Sequence, residues 1–471
     1  MHKKFEPEQG DIEIALTGET LLCRKLSVFR EPQFEKLIGI LRKADVTFTN
    51  LEGIIQDWED APNTFAGGGA HGGTYMVTVP ELIQELKWAG INLLSTANNH
   101  SSDFGEAGVL TALKYLKAAG MAQAGMGRNL TEASAPCYFD SPKGRVALIA
   151  ATDWGPRGAG DVPWPFPMGV IAGDQSPYSK GRPGINLVRC RSEVTLGPES
   201  FEALKEISKQ LGWNSGKSSL YRGTIGLKEA AASSRFAEPS NVNPEIYFMG
   251  TRFIRGNTHG VTMVAEPEDI ERNLKWVREA RRMASWVMVS FHNHGGGGNN
   301  DLAPAYSIKY AHACIDNGAD LFVGHGNGRD RGIEIYQGKA IFHGLGEFIR
   351  QNEQVPWIPY ELMHRFGLGF EGTPADFYDS REGKGVKASA AAAPEKWRAV
   401  VPVLKYDHRQ LMEIRLHPID LGSQLPRHER GRPILAEKGS DIFRSVISHY
   451  QKVSKPFGTT ISDDGLITVN H

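Results

Sequence analysis

The sequence predicts an α/β protein in which helices cover the faces of a mostly parallel β-sheet. Short apolar stretches with strand character alternate with stretches of helical spacing, and this alternation is typical of consecutive βαβ units. In addition, five of the predicted strands end in carboxylate, amide or imidazole side chains. Such side chains are expected where the carboxyl ends of parallel strands line one crevice.

The first half of the chain contains the first series of these units. Pro80 opens one of the helices and Gly90 ends it, because proline suits the first helical turn and glycine suits the exit. The predicted elements are, in order, strand 12–17, helix 34–42, strand 46–49, helix 81–89, strand 93–97, helix 106–119 and strand 146–152.

The alternation stops over residues 155–264. Proline-rich and polar stretches there are typical of loops, and only residues 201–211 have a clear amphipathic helical spacing. The apolar content is low for an independent core. We therefore interpret this segment as a loop-rich insertion that selects the substrate on a rigid scaffold.

The alternation resumes after the insertion. The predicted elements are helix 269–284, strand 286–291, helix 306–317, strand 319–323, a hairpin of 333–336 with 339–343, a strand pair of 400–406 with 410–417, helix 441–451 and strand 466–469. The expected organisation is a first core half at 11–154, the insertion at 155–264, a second core half at 265–350, and C-terminal strands and a helix packed on the core at 351–471.

Composition excludes several classes of protein. The chain has 471 residues, of which 40% are hydrophobic and 23% charged, with a net charge of −1; a nucleic-acid-binding surface is therefore not expected. The four cysteines are far apart, which favours reduced cysteines over a zinc ribbon or a disulfide framework. The sequence contains no apolar run of about 18 residues that would predict a membrane span. Because residues 1–8 lack the apolar segment of a signal peptide, a cytoplasmic location is expected.

Polar side chains at strand ends define the candidate site. Imidazole and carboxylate groups together suit zinc, manganese or iron, and one or two such ions would lower the pKa of bound water and polarise a carbonyl or phosphoryl oxygen. The alternative is a hydrogen-bonded polar rim without metal. The candidate ligands are Glu19, Glu52, Asn99, His100, His292, His294 and His325, with Asn50 beside them.

Other residues near these strand ends have two interpretations each. Asp103 either orients the His100 ring through a carboxylate–imidazole bond or caps the following helix. Arg329 and Arg331 either bind a carboxylate or phosphate group of the substrate or face solvent. Asn50, His71 in the glycine-rich loop 65–73, and Trp154 are candidates for substrate contact. The alternatives are a surface histidine for His71 and a core tryptophan for Trp154.

Six motifs of the chain resemble, as a set, those of the bacterial CapA-like capsule synthesis family, the poly-γ-glutamate capsule domain or PGA_cap, which is related to calcineurin-like metallophosphoesterases. They are Asn50-Leu51-Glu52-Gly53, Ala97-Asn98-Asn99-His100-Ser101-Ser102-Asp103-Phe104-Gly105, Val289-Ser290-Phe291-His292, Gly318-Ala319-Asp320-Leu321-Phe322-Val323-Gly324-His325-Gly326, Gly332-Ile333-Glu334-Ile335-Tyr336 and Leu345-Gly346-Glu347-Phe348. The resemblance implies a four-layer α/β/β/α sandwich of metallophosphoesterase type with a metal site at the strand ends. It also implies hydrolysis of amide bonds, such as γ-glutamyl links, or of phosphoesters.

The chain departs from the family pattern at four places. Glu19 stands where the family usually has Asp, Gly328 where it has a second histidine, and Glu347 where it has Asn. Glycines 295–298 replace an acidic residue that usually follows the His292 motif. His294 is then a candidate to replace a lost ligand; alternatively, the site holds one metal where relatives hold two.

We therefore expect a cytoplasmic metal-dependent hydrolase that cleaves an amide-type bond in a small or peptide-like substrate. His100, Asp103, Asn99 and Arg331 are the expected catalytic residues, with Asn99 or Arg331 steadying the developing oxyanion. Two alternatives stay open, namely a phosphoesterase that uses the same metal site, and a non-catalytic component of poly-γ-glutamate capsule synthesis. The oligomeric state is also open, and a homo-oligomer fits the sequence as well as a monomer does.

Overall fold

The computed structural model describes residues 10–57, 76–153, 172–211, 245–248, 251–295, 301–326, 328, 330–358, 360–382 and 394–469. The protein is mixed α/β, as the sequence predicts. The chain forms two compact units, a large one of residues 1–157, 168–189 and 267–471 and a small one of residues 158–167 and 190–266.

The described residues contain 23 β-strands. In chain order they are β1 (Ile12–Leu21), β2 (Val46–Leu51), β3 (Ile54–Ile55), β4 (Val77–Thr78), β5 (Leu93–Ser95), β6 (Ala122–Ala124), β7 (Met126–Gly127), β8 (Cys137–Ser141), β9 (Gly144–Thr152), β10 (Gly184–Ile185), β11 (Cys190–Leu196), β12 (Glu245–Phe248), β13 (Thr251–Arg255), β14 (Gly260–Ala265), β15 (Trp286–His292), β16 (Leu321–His325), β17 (Ile333–Tyr336), β18 (Lys339–Leu345), β19 (Glu347–Arg350), β20 (Arg398–Asp407), β21 (Gln410–Asp420), β22 (Ile434–Leu435) and β23 (Leu466–Thr468).

Ten α-helices accompany the strands in the described part of the chain. They are α1 (Pro32–Lys43), α2 (Ile83–Trp88), α3 (Gly105–Ala118), α4 (Leu130–Ser134), α5 (Pro198–Gln210), α6 (Pro267–Met283), α7 (Ala305–Asp316), α8 (Tyr360–Arg365), α9 (Pro374–Glu382) and α10 (Asp441–Ser454). The helices and strands predicted for the core are present with bounds shifted by a few residues. The additional elements of the large unit are β3, β4, β6, β7, β8, β10, β19, β22, α4, α8 and α9.

The first sheet of the large unit is built around β1. Strands β1, β2, β5 and β6 are parallel neighbours in that order. On the other side of β1, antiparallel β20 pairs with its first half and parallel β19 pairs with its last residues. Strands β21, β22 and β23 extend the sheet beyond β20.

The second sheet has the strand order β17-β18-β16-β15-β9-β8. Its four central strands are parallel, and β8 and β17 pair antiparallel at the edges. Every residue of β15 is buried, as is typical of a parallel strand covered on both faces. Helices α6 and α7 pack on this sheet, with the Tyr310 ring of α7 at 5.1 Å from the ring of Phe291.

The two sheets share a hydrophobic core. Ile14 and Leu16 of β1 belong to the same buried cluster as Leu148 of β9 and Trp286 of β15. A second buried cluster joins the first sheet to α1, α2 and α3. Helix α1 contributes the side chains of Phe34, Leu37, Ile38 and Leu41 to it, a spacing that places them on one helical face.

The small unit consists of a four-stranded sheet, β12-β13-β11-β14, and helix α5. The sequence predicts α5 but not the four strands. Their positions are mostly half-buried or exposed, and polar residues such as Arg252 and Glu193 occupy many of them, so the apolar signal of a strand is weak. No helix in the described ranges combines the length and apolarity that a membrane span requires.

Candidate metal centre

The close backbone contact between Gly18 and Gly346 brings the carboxylates of Glu19 and Glu347 together. The chain leaves β18 of the second sheet at Leu345 and enters the first sheet as β19, where Glu347 lies opposite Glu19. The Glu19 amide donates to the Gly346 carbonyl at 2.9 Å. A β-carbon at Gly18 would lie 1.6 Å from that carbonyl oxygen, so the close approach requires glycine at this position.

The end of β2 adds a third carboxylate. Asn50 lies opposite Glu19 in the parallel pairing of β1 with β2, and the Glu52 amide donates to the Thr20 carbonyl. Glu19, Glu52 and Glu347 each offer a carboxylate oxygen, and these oxygens lie within 4.8 Å of one another. All three side chains are buried. We call these three residues the carboxylate cluster.

Three imidazoles face this cluster from the second sheet. His292 and His325 are paired residues of β15 and β16, and their Nδ1 atoms are 3.1 Å apart. His292 Nε2 lies 3.0 Å from Nε2 of His294, and His292 Nδ1 lies 3.2 Å from Nδ2 of Asn50. Glu19 joins His292 and His325, and Glu52 joins His292 and His294, in groups whose ligand atoms all lie within 4.8 Å.

Burial sets the charge of these groups. It raises the pKa of Glu52 to about 8, and it raises the pKa of Glu19 further because Glu52 and Glu347 are also close. Burial lowers the pKa of His325 to about 3 and, together with the neighbouring imidazoles, lowers the pKa of His292. His292 and His325 are therefore neutral at pH 7, which is the form that binds metal.

The donor set fits a divalent cation. Glu19 Oε1 and Glu347 Oε2 are buried without a hydrogen-bond partner among the described residues, and buried polar atoms of this kind require an explanation. Arg350 donates to Glu347.

His100 is held by a carboxylate. Its Nδ1 lies 2.8 Å from Asp103 Oδ2, and both side chains are buried. Helix α3 begins after Phe104 without a side-chain cap, so Asp103 orients the imidazole ring and does not cap the helix. The Asn98 side chain accepts from the His100 amide and donates to the Leu51 carbonyl, which ties this turn to the end of β2.

His100, Asn99 and Arg331, which the sequence predicts as site residues, differ in the contacts that their side chains make. Among the described residues, His100 belongs to no group of three metal-ligand atoms. Asn99 is buried and its Oδ1 has no hydrogen-bond partner in the described part of the chain.

Arg331 is buried and donates to Asn293 Oδ1 and to the Gly295 carbonyl. His71, Trp154 and Arg329 lie outside the described residues.

Comparison with known proteins gives the family. Residues 13–352 match the family described as bacterial capsule synthesis protein PGA_cap. The chain belongs to this family. The uncharacterized protein y4sH of Sinorhizobium fredii is 30% identical over 94% of this chain and 90% of its own length. The capsule biosynthesis protein CapA of Bacillus anthracis is 33% identical over 57% of this chain and 42% of its own length. The PGA biosynthesis protein CapA of Bacillus subtilis is 32% identical over 26% of this chain and 32% of its own length.

Two of the departures from the PGA_cap pattern meet in space. A β-carbon at Gly328 would lie 2.8 Å from Glu347 Oε1, so the carboxylate lies where a side chain at position 328 would begin. The missing histidine and the additional glutamate are therefore one local exchange. Glu347 is a departure from the family pattern in the sequence but is not among the predicted ligands. Its pairing with Glu19 depends on the crossing at Gly346, which no spacing along the chain reveals.

Proposed function

We propose that this PGA_cap protein is a metal-dependent hydrolase that cleaves an amide bond of γ-glutamyl type, on a four-layer sandwich like that of the metallophosphoesterases. The observation that carries the proposal is the proximity of the buried carboxylate cluster to the three imidazoles of His292, His294 and His325. Three carboxylates packed together repel one another when ionised, and a divalent cation would remove that repulsion.

Glu19, Glu52, Glu347, His292, His294 and His325 would hold one or two ions, with Asn99 Oδ1 as a further oxygen ligand. Zinc, manganese or iron bound there would activate a water molecule and polarise the substrate carbonyl. Hydrolysis then adds one water across the C–N bond and releases a carboxylic acid and an amine.

The remaining polar residues would transfer a proton or stabilise the oxyanion that forms on the substrate carbonyl. Asp103 holds the proton of His100 on Nδ1, which leaves Nε2 to carry a proton to the departing amine. Of the two predicted oxyanion donors we favour the Asn99 amide, because Arg331 already donates to Asn293 and Gly295. Arg331 would then fix the turn that follows His294.

The charge of the centre favours amides over phosphoesters. Relative to the family pattern, an imidazole is absent at Gly328 and a carboxylate is added at Glu347. The added carboxylate makes the centre more negative and therefore less favourable for a phosphate group, whereas an amide is neutral. The name of the Bacillus subtilis relative, a PGA biosynthesis protein, supports a γ-glutamyl substrate.

Elemental analysis and a substrate panel test the proposal together. We expect the purified protein to contain about one or two transition-metal ions and to hydrolyse γ-glutamyl amides in preference to phosphodiesters. The double variant Glu19→Gln/His292→Ala should lose both the metal and the activity. Protein that binds no transition metal, or whose double variant keeps full activity, would contradict the proposal.

The variant His100→Ala separates two roles of this imidazole. If His100 carries a proton, the variant retains metal while its amide hydrolysis falls at least about a hundredfold. If His100 is a ligand, metal content falls as well. His408→Ala is the matched control, because its side chain is 86% exposed and neither quantity should change.

A further inference from the structure

Helix α10 packs against the segment that leads into β17. The helix lies beyond residues 13–352, which match the PGA_cap family. Two of its side chains bind the backbone of this segment. His449 Nε2 donates to the Asp330 carbonyl at 3.1 Å, and Ser454 Oγ accepts from the Ile333 amide at 3.0 Å. The helix therefore fixes the course of the chain just before β17.

The carboxylate of Asp330 connects α10 to the carboxylate cluster. Its Oδ1 accepts from the Tyr450 hydroxyl of α10 at 2.6 Å and from the Gly346 amide at 2.8 Å. Gly346 directly precedes Glu347, and its carbonyl accepts from the Glu19 amide at 2.9 Å. Both backbone polar groups of Gly346 thus have a fixed partner, and α10 holds one of these partners.

The packing around Gly346 leaves its backbone little room to move. A β-carbon at Gly346 would lie 2.8 Å from Asp330 Oδ1, and one at Gly18 would lie 1.6 Å from the Gly346 carbonyl oxygen. Glycine at both positions permits these contacts. A shift of the Asp330 carboxylate would therefore displace the Gly346 peptide, and with it the backbone of Glu19 and Glu347.

From these contacts we propose that α10 is part of the metal centre, with Asp330 and Tyr450 as positioning residues for Glu19 and Glu347. Asp330 belongs to none of the groups of three ligand atoms among the described residues, so its part is to hold the Gly346 amide. This inference rests on the proposed function and extends the centre to a helix outside the part of the chain that matches the family.

Removing the Tyr450 hydroxyl tests the link from the helix. Tyr450→Phe keeps the ring in the core but takes one donor from Asp330, and it should weaken zinc binding about tenfold, as groups that orient ligands do. Tyr406→Phe is the matched control, because Tyr406 lies in the same buried cluster and its hydroxyl has no hydrogen-bond partner among the described residues. Zinc titration of metal-depleted protein measures the change. Parental zinc affinity in Tyr450→Phe would overturn the proposal.

Two substitutions of Asp330 separate positioning from direct chemistry. Asp330→Asn keeps an oxygen that can accept from Gly346 and Tyr450, so its zinc affinity should stay within about threefold of the parent value, whereas Asp330→Ala should lose at least about tenfold. A carboxylate that binds the metal or carries a proton would be lost in both variants. An equal loss in Asp330→Asn and Asp330→Ala would therefore overturn the proposal.

A core substitution in α10 separates positioning from general stability. Ile447 is buried in the same cluster as Tyr450, and Ile447→Val should lower the midpoint of thermal unfolding without changing zinc affinity. Cobalt in place of zinc reports the ligand geometry through its visible absorption. We expect this absorption to shift in Tyr450→Phe and to stay unchanged in Ile447→Val. An unchanged cobalt spectrum in Tyr450→Phe would overturn the proposal, because Glu19 and Glu347 would then have kept their places.

Hydrogen exchange of the metal-free protein separates this inference from the proposed function. The Glu19 amide is bonded to Gly346 and not to Asp330, and it should exchange at least about tenfold faster in Asp330→Ala than in Asp330→Asn. This difference in a protein that hydrolyses no amide would support the positioning role while contradicting the hydrolase. Amide hydrolysis by the parent protein, with equal exchange in the two variants, would support the hydrolase and overturn the positioning role.

Discussion

Gly328 controls the space into which Glu347 extends. Its backbone has a φ of +57°, and a β-carbon there would meet Glu347 Oε1 at 2.8 Å. Glycine is thus favoured for two separate reasons, conformation and space. A glutamate at 347 and a side chain at 328 exclude one another unless the carboxylate moves, which explains why this chain differs from the family pattern at both positions.

Gly328→Ala should therefore weaken metal binding by at least about tenfold, because the methyl group displaces a carboxylate oxygen. It should also cost about 1–2 kcal/mol of unfolding free energy through the left-handed backbone. Gly120→Ala is the matched control, since Gly120 has a φ of +66° with no atom within 4 Å of the added carbon. Metal titration measures the loss of metal affinity, and thermal unfolding measures the loss of unfolding free energy. Unchanged metal affinity in Gly328→Ala would show that Glu347 is not a ligand.

At the scale of elements, the site was largely predictable because parallel strands collect their carboxyl ends. Glu19 and Asn50 end neighbouring strands, and so do His292 and His325. The alternation of predicted strands and helices along the sequence is enough to predict each pair. Bringing the two pairs together requires the two sheets to pack against each other, and only the family resemblance implied that packing.

The parts that were not predictable depend on contacts between distant segments. Strand β19 has only four residues, and its register with β1 is set by the glycine crossing at Gly18 and Gly346. The sheet of the small unit was missed because its half-exposed strands carry many polar residues. Periodicity reports burial, so elements that are little buried give little signal.

His294 is held in place by Asp153, which follows β9 and is itself bound by Tyr306 of α7. Asp153 follows β9 and accepts from the His294 amide through Oδ1 and from the Tyr306 hydroxyl of α7 through Oδ2. Asp153 also donates its amide to the His292 carbonyl. Asp153 therefore links His294 to α7 through its carboxylate and to His292 through its backbone amide.

Tyr306→Phe should lower metal affinity about tenfold, because groups that orient ligands typically contribute a factor of 10–100. The same loss should appear in amide hydrolysis at limiting metal and disappear at saturating metal. Tyr310→Phe is the control on the same helix, since that ring packs on Phe291 and Phe322. A Tyr306→Phe protein with parental metal affinity would contradict the positioning role of Asp153.

At the scale of the whole molecule, the carboxylate cluster makes folding depend on pH. Burial raises the pKa of Glu52 in the folded protein to about 8, against about 4.3 in the unfolded chain. The folded state therefore binds this proton more tightly. The contribution of this group to the free energy of unfolding is fully present below its unfolded-state pKa and is lost as the pH rises through its folded-state pKa of about 8. Metal reverses the trend, because it binds the ionised carboxylates and releases their protons.

Between pH 7 and 9, metal-free protein should become less stable by up to about 1.4 kcal/mol per pH unit for each such group. Burial depresses the pKa of His292 and His325, so these imidazoles are neutral in the folded state throughout this window and add little slope. Glu52→Gln should flatten the dependence, whereas Glu106→Gln, at an exposed position of α3, should keep it. Added zinc should stabilise the parent protein more at pH 9 than at pH 7. Urea unfolding with and without chelator measures each slope. A metal-free protein whose stability does not change over this range would show that the cluster is already ionised without a cation.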